Sequence, residues 1–421
     1  MRVLLYADMC NPNQASEPLV GYNTCRSIVD EVEDPVVVTQ VRNRDAIREK
    51  GMGKAQVLYL DTERIAVPLW KIASFIRASH SLNTVIKLPD HYYFEYRLWE
   101  ALKDDLKSGA FDIVHRVTPI SSAMPSPLAQ WSPVPFVLGP INGGLPWPPQ
   151  FRSELLKEGE WLRYVRGLYR LTPYVKPTYR RAAAILAAYK HTIQKLPTGN
   201  MARTINFPEN GVDPSRFRVR THREVERVTF VYIGKLMPYK SVNVVVSAFS
   251  RSDILRKHRL LIVGDGPDRD ELEAMVRSSN MKDSVVFTGW LTQQEAAMHL
   301  HDSDVFVYPA IRDSGAGALV EAMYTGLACV ASDYGPMAEL LAGGRGLRVS
   351  LHDREEHVDG FRRAMETLVL DESKREELGQ RAHEFASEHF VWRNRAKAIR
   401  RVYEWVLGRA ERMPAFAEAM P

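Results

Sequence analysis

The feature that most constrains this chain is an alternation, kept up from end to end, of short apolar runs with amphipathic stretches of helical period. Strands buried on both faces read as continuous apolar runs, and two parallel strands need a crossover between them, usually a helix. The alternation therefore specifies α/β units with parallel sheets. It comes in two blocks. Residues 3–6, 36–39, 55–60, 112–115, 135–138 and 184–187 read as strands in the first, and residues 228–233, 259–263, 285–287, 305–308 and 328–331 in the second. Between them the Pro/Asn/Gly/Asp-rich passage 206–214, followed by the charged run 216–227, marks a boundary. The expectation is two doubly wound, Rossmann-like domains, 1–205 and 206–390, with a helix at 391–408 that crosses back to the first and a loose tail at 409–421. Such sheets bind ligands outside the carboxyl ends of their strands, so the two domains are expected to face one another across a cleft.

A chain of 421 residues, 45% apolar and 25% charged, can bury a large core, which excludes disorder and a single small binding module. The formal charge of +5 suits an anionic ligand or a lipid surface and is too mild to imply nucleic acid. The start runs straight into a strand with no apolar stretch of signal or membrane-span length, so the expected location is the cytoplasm. Cys10, Cys25 and Cys329 have neither disulfide-framework nor zinc spacing.

The most informative stretch runs from Tyr308-Pro309 through Asp313-Ser314-Gly315-Ala316-Gly317-Ala318 to Glu321. A strand ends in a proline, a small-residue turn opens a helix, and a carboxylate stands on each side. N–H groups at a helix start bind anions, glycines admit close approach, and carboxylates accept from sugar hydroxyls. The plainer reading makes Asp313 an N-cap and Glu321 a solvated helix residue. Gly264-Asp265-Gly266-Pro267 lacks the G-x-G-x-x-G spacing of a dinucleotide site and reads as a tight structural turn, which disfavours a dehydrogenase. Asp302-Ser303-Asp304 spells a metal-binding string but precedes a strand instead of ending one. No other cluster has ligand spacing, so no metal and no cofactor is expected.

Seven motifs in order make the second block resemble the retaining, two-domain glycosyltransferases of the family-four type, which have the GT-B architecture. They are Asn210-Gly211-Val212-Asp213; Phe230 to Lys235 with Lys240; Val263 to Pro267 with Leu272; Val286 to Trp290; Asp304 to Pro309; the Asp313 to Met323 turn and helix; and Ala331 to Pro336 with Glu339. The resemblance implies that Lys235 and Lys240 hold the diphosphate of a nucleoside diphosphate sugar. It implies that Glu321 holds the ribose and that Asp313, where the family usually has Glu, meets the transferred sugar. Gly234 and the turn residues Ser314, Gly315, Ala316, Gly317 and Ala318 then line the donor site, with the base near Gly289, Trp290 and Leu291. Trp290 either stacks on that base or plugs the core. Taken alone, the two lysines also read as solvated.

The first block resembles the family more loosely. Of the glycine-rich loop that usually follows the first strand near the diphosphate, only Gly21 remains. Ser16-Glu17 with Gly21-Tyr22-Asn23, the strand through His115, and the turn Asn142-Gly143-Gly144 look like a bacterial subgroup of the family. Glu17, Asn142, Gly143 and Gly144 are then candidates for the acceptor side. His115 stands at a strand end and either hydrogen-bonds the sugar or is a satisfied strand histidine; the family's functional histidine falls two residues on, at Val117. The run from Trp161 to Arg181 opens with Trp161, Tyr164, Val165 and Leu168 on one face and Arg163, Arg166 and Arg170 on another. From 152 to 181 eight basic residues stand against three acidic ones. Such a helix either lies on anionic membrane or packs on the first domain.

These readings converge on a glycosyltransferase that moves a sugar from a nucleoside diphosphate to a hydroxyl acceptor with retention, in bacterial polysaccharide or glycolipid assembly. It is expected in the cytoplasm or at the inner face of the membrane. The alternatives are a catalytically degenerate partner that binds nucleotide sugar or lipid, and a hydrolase or epimerase on the same fold.

Overall fold

In a computed structural model that describes residues 1–75, 85–151, 172–197, 199–221 and 226–415, the chain divides into two units. Among the described residues the first comprises 1–144, 172–209 and 392–415, and the second 145–151 and 210–391.

The first unit runs β1 (Arg2–Ala7), α1 (Glu17–Glu31), β2 (Asp34–Gln40), α2 (Arg44–Lys50), β3 (Gln56–Leu60), α3 (Glu63–Phe75), α4 (Leu88–Lys107), β4 (Ile113–Thr118), α5 (Leu128–Trp131), β5 (Phe136–Ile141), α6 (Val175–Arg181), β6 (Ala182–Ala187), α7 (Tyr189–Ile193) and β7 (Thr204–Asn206). Its strands pair in parallel in the order β3-β2-β1-β4-β5-β6-β7. Leu4 of the central strand lies opposite Val36 on one side and Val114 on the other. Leu4, Tyr6, Val38, Phe94, Val114, Phe136 and Leu138 form part of its core.

The second unit runs β8 (Thr229–Ile233), α8 (Val242–Ser250), β9 (Arg259–Val263), α9 (Arg269–Ser278), β10 (Val285–Gly289), α10 (Gln293–His301), β11 (Val305–Tyr308), α11 (Gly317–Thr325), β12 (Ala328–Ser332), α12 (Pro336–Leu340), β13 (Leu347–Val349), α13 (Arg354–Leu370) and α14 (Glu372–His389). Its parallel order is β10-β9-β8-β11-β12-β13, so the winding reverses between β8 and β11. The crevice beyond that pair of strand ends is where such a sheet takes a ligand. The last helix, α15 (Trp392–Val406), belongs to the first unit and packs on α1. Both units are Rossmann-like α/β sheets, as the alternation requires.

The differences from expectation are local. β7 and β13 are edge strands of three residues, too short for any periodicity to announce them. Because β7 pairs with β6, the division falls at 209/210 and not at 205/206. Residues 145–151, expected in the first domain, belong to the second unit. Residues 409–415 form no helix or strand, and 416–421 lie outside the described residues, as do 152–171 of the basic amphipathic run. Among the described residues no helix is long and apolar enough to cross a membrane.

Several helices of the second unit begin on a capping oxygen: Thr292 accepts from the Glu295 N–H, Asp353 from Glu356 and Asp371 from Lys374. At α11 the capping position is Ala316, at φ 52°, which has no side-chain oxygen to give its first turn.

Candidate functional site

The site is built at the β8/β11 reversal of the second unit. The chain leaving β8 turns through Gly234-Lys235-Leu236 and is clasped by the turn after β9. The Gly234 N–H donates to Val263 O (3.0 Å), Leu236 N–H to Asp265 O (3.0 Å) and Asp268 N–H to Leu236 O (3.2 Å). A Cβ on Gly264 would stand 1.9 Å from the Gly234 oxygen, and its φ of +135° suits only glycine. The Gly264-Asp265-Gly266 turn is therefore a clasp on the β8 loop. Lys235 is exposed on that loop, and its carbonyl accepts from the Tyr232 hydroxyl at 2.9 Å.

Lys240 closes a short helical turn, Pro238–Lys240, and is buried. Its Nζ donates to the Tyr308 hydroxyl at 2.6 Å and to Asp313 Oδ2 at 2.5 Å. The Tyr308 hydroxyl donates to the same carboxylate oxygen. The Gly315 N–H donates to Asp313 Oδ1 at 3.1 Å. Burial alone would raise the Asp313 pKa, but the Lys240 charge and these hydrogen bonds bring it down to about 2. Asp313 is thus neither an N-cap nor solvated. Tyr308 is the residue that sequence reasoning passed over, although a buried tyrosine at a strand end must find its hydroxyl a partner.

Beyond this group the turn into α11 is held by Asn210, whose amide donates to Gly315 O at 2.6 Å. Gly315 was expected to offer its N–H to a ligand, and gives it to Asp313 instead. Ala316 is buried, Ser314 is exposed, and Gly317 and Ala318 stand in the first helical turn, where N–H groups have no partner within the helix. Glu321, half-buried on the second turn, is pushed up to about 7 by burial, against a weaker pull from Arg216. Gly289 ends β10 at φ +76°; Leu291 is half-buried, and Trp290, 63% exposed, does not plug the core. Residues 145–151 add an unforeseen wall. Arg312 lies 5.2 Å from the Trp147 ring centroid, the Tyr334 hydroxyl donates to Pro146 O at 3.0 Å, and Trp147 and Phe151 pack with Ile311 and Leu351.

The first unit corrects several expectations. His115 is not at a strand end: it is the third residue of β4, fully buried, with Nδ1 2.5 Å from the Tyr403 hydroxyl and Nε2 2.5 Å from Gly139 O. Burial lowers its pKa to about 4, so it is a neutral, satisfied core histidine and not a sugar ligand. Gly21 is in no loop. It lies within α1, where a Cβ would meet the Met9 carbonyl oxygen at 2.1 Å, so it is a packing glycine. Glu17 opens α1, accepts from the Ile120 N–H at 2.7 Å and is raised to about 7 by burial and the nearby Asp8 charge. The turn at Asn142 is anchored by side chains. The Asn142 amide donates to Glu209 at 2.7 Å and its oxygen accepts from Thr192 at 3.1 Å, while Thr192 also receives the Gly143 N–H; Gly144 O accepts from Lys195. At the reversal of this sheet, Asp8, His91, Glu95, Tyr6, Ser126 and Thr118 bond among themselves. Burial would lower His91, yet Asp8 and Glu95 raise it to about 9.

Of the Asp302-Ser303-Asp304 string, Asp304 is fully buried and accepts from Thr229 N–H (2.7 Å) and Arg220 (3.0 Å), a structural anchor. Among the described residues His352, Asp353 and Glu356 could share a cation, but all are exposed and Asp353 is occupied as the cap of α13.

Residues 215–385 match the family described as Glycosyl transferases group 1. A stretch of 175 residues is 30% identical to the 2-deoxystreptamine glucosyltransferase of Streptomyces kanamyceticus, covering 38% of this chain and 45% of that protein. Another of 180 residues is 28% identical to the lipopolysaccharide core biosynthesis glycosyltransferase LpsE of Rhizobium meliloti, covering 42% and 50%. The chain spans about half or less of the length of the curated relatives it matches. Its fold is shared with sucrose-phosphate synthase from Thermosynechococcus elongatus, at TM-score 0.66 and 14% identity over 97% of this chain and 100% of that one. It is shared too with Anabaena HepE in complex with UDP-glucose, at TM-score 0.61 and 15% identity over 96% and 100%.

Proposed function

We propose that this chain, with its group 1 glycosyltransferase segment at residues 215–385, transfers a sugar from a nucleoside diphosphate to a hydroxyl acceptor, with retention of configuration, in bacterial glycolipid or polysaccharide assembly. The observation that carries the reading is the convergence of the β8 loop, Tyr308 and the uncapped start of α11 on one crevice. It sets the Lys240 ammonium near a helix start with N–H groups to spare, with Lys235 exposed on the β8 loop.

In this reading the ammonium groups neutralise the diphosphate and the charge that grows on its leaving oxygen. The first-turn N–H groups of α11 take further phosphate oxygens, Glu321 receives ribose hydroxyls, and the exposed Trp290 stacks on the base. In this reading ammonium and backbone N–H donors meet the diphosphate, and no divalent metal takes part. No carboxylate acts as nucleophile: Asp313 is engaged by Lys240 and Tyr308, and the leaving phosphate takes the acceptor proton on the face it departs from. The acceptor belongs to the first unit, near Glu17 and the 142–144 turn. The protein works at the cytoplasmic face of the membrane. The exposed Val67, Trp70, Ile72 and Phe75 of α3, accompanied by the exposed Arg64 and Lys71, support peripheral contact with anionic lipid.

The test is thermal stabilisation by UDP, GDP, ADP and their sugar conjugates, with and without Mg²⁺, followed by turnover with lipid and sugar acceptors. A ligand at about 100 times its Kd stabilises by roughly 2.7 kcal/mol. The expected result is a shift with one diphosphate series, unchanged by chelation, and a loss of turnover on the order of 10² or more in Lys240→Ala. No shift with any diphosphate refutes the reading; binding without turnover on any acceptor favours the degenerate partner.

A further inference from the structure

Asp313 is one of the residues at which this chain departs from its resemblance, and the geometry gives the departure a consequence. A carboxylate has about four lone-pair positions. Here Oδ2 receives both the Lys240 ammonium, at 2.5 Å, and the Tyr308 hydroxyl, while Oδ1 receives the Gly315 N–H at 3.1 Å. Each oxygen is therefore held, one by a charged partner and one by backbone. A sugar hydroxyl would have to displace a partner or take the one position left.

The lysine is held equally firmly. Its stem is buried and its Nζ lies 4.9 Å from the Tyr308 ring centroid. Two of its three N–H groups go to Tyr308 and Asp313, which leaves the third in a set direction. The tyrosine ring is packed against those of Tyr232 (centroids 6.1 Å apart, planes at 20°) and Phe306 (5.6 Å, 24°), which resists its swinging away. Tyr232 in turn holds the Lys235 carbonyl. A free lysine on four rotatable bonds would have to surrender that freedom on meeting a phosphate. Here it is surrendered on folding.

Resting on the glycosyltransferase reading above, we infer that Asp313 does not read the transferred sugar: with Tyr308 it forms a clamp that aims the Lys240 ammonium at the donor diphosphate. Asp313 and Tyr308 are positioning residues that act through the lysine. Sugar selection then falls to other groups of the crevice.

The test is isothermal titration of the full chain with UDP, GDP or ADP, whichever binds, and with the glucose conjugate of that diphosphate. The proteins are wild type, Asp313→Asn, Tyr308→Phe, Lys240→Ala and the two doubles with Lys240→Ala. Tyr308→Phe keeps the stacked ring, so it reports even if Asp313→Asn folds poorly. For each clamp variant the expected result is a change of at least about fivefold in Kd, the same within about twofold for the diphosphate and its conjugate, that disappears in the Lys240→Ala background. A loss confined to the glucose conjugate, or an effect that persists without Lys240, overturns the clamp and returns Asp313 to sugar recognition. A lowered melting temperature with unchanged Kd values overturns it in favour of a purely structural role. If the wild-type chain binds no nucleoside diphosphate, the glycosyltransferase reading itself fails and takes the clamp with it.

Discussion

Replacing His115 with Leu separates a core histidine from a catalytic one. The side chains are similar in volume, so the change removes the two hydrogen bonds and the titration while leaving the packing nearly filled. It strands the Tyr403 hydroxyl and the Gly139 carbonyl, both now bonded at 2.5 Å to a fully buried ring. An orphaned buried polar group costs about 1–3 kcal/mol, so the expected loss at neutral pH is roughly 4 kcal/mol. The pH dependence carries a second signature. The imidazole's folded pKa is about 4 against an ordinary 6.5, so the unfolded chain binds a proton that the folded one refuses. Wild-type stability from this group is therefore full above pH 6.5 and falls as the pH drops through the folded pKa, by about 3 kcal/mol in all. About 2 kcal/mol of it is gone by about pH 5, and Leu has nothing to lose. Hydrogen exchange read by mass spectrometry on peptides spanning β4 and β5 measures the first unit alone. It should show the gap between wild type and variant narrowing from about 4 to about 2 kcal/mol between neutral pH and about pH 5. Nucleoside diphosphate affinity should not change. A Leu variant as stable as wild type, a gap indifferent to pH, or an intact fold whose turnover is lost would each show the reasoning wrong.

Trp290→Ala removes a side chain that is 63% exposed, so stability should move by less than about 0.5 kcal/mol while diphosphate affinity falls roughly tenfold from lost stacking; unchanged affinity in titration takes the base away from this residue. Gly264→Ala puts a Cβ 1.9 Å from the Gly234 oxygen at a φ of +135°, which should cost about 2–4 kcal/mol in urea melts and disturb the Lys235 loop; a wild-type melt would mean that the turn is no clasp. Glu321, with a folded pKa of about 7 against an ordinary 4.5, disfavours its own charge, so the wild type loses stability as pH rises from 4.5 to 7. Glu321→Gln should accordingly melt higher than wild type at about pH 8 and alike at about pH 4, and bind nucleoside diphosphate more weakly at about pH 8. Equal melting at the higher pH contradicts the burial argument.

The site was legible where chemistry and connectivity coincide. Lys240, Asp313 and the small-residue turn stand out in sequence because a strand end, a glycine-rich bend and a helix start are local features, and the winding order brings the β8 and β11 ends together. Tyr308 was passed over because its part is played by a hydroxyl whose partners lie 68 and 5 residues away. The Trp147 wall was missed because residues 145–151 leave the sheet they follow and join the other unit. His115 and Gly21 were misplaced for the opposite reason: a histidine in a strand and a glycine after a loop carry the same letters whether they meet a ligand or a neighbour's backbone.

The sequence by itself determined that this chain makes two parallel α/β sheets and where most of their strands run. Those properties follow from hydrophobic period and from the obligation of parallel strands to cross over through helices. Only the tertiary structure decided which polar groups are occupied. The His115 ring is bonded to Tyr403, 288 residues on, and the Asp313 carboxylate is taken by Lys240, 73 residues back. In a buried setting a polar group bonds to whatever the fold sets beside it, and that neighbour is a property of three dimensions.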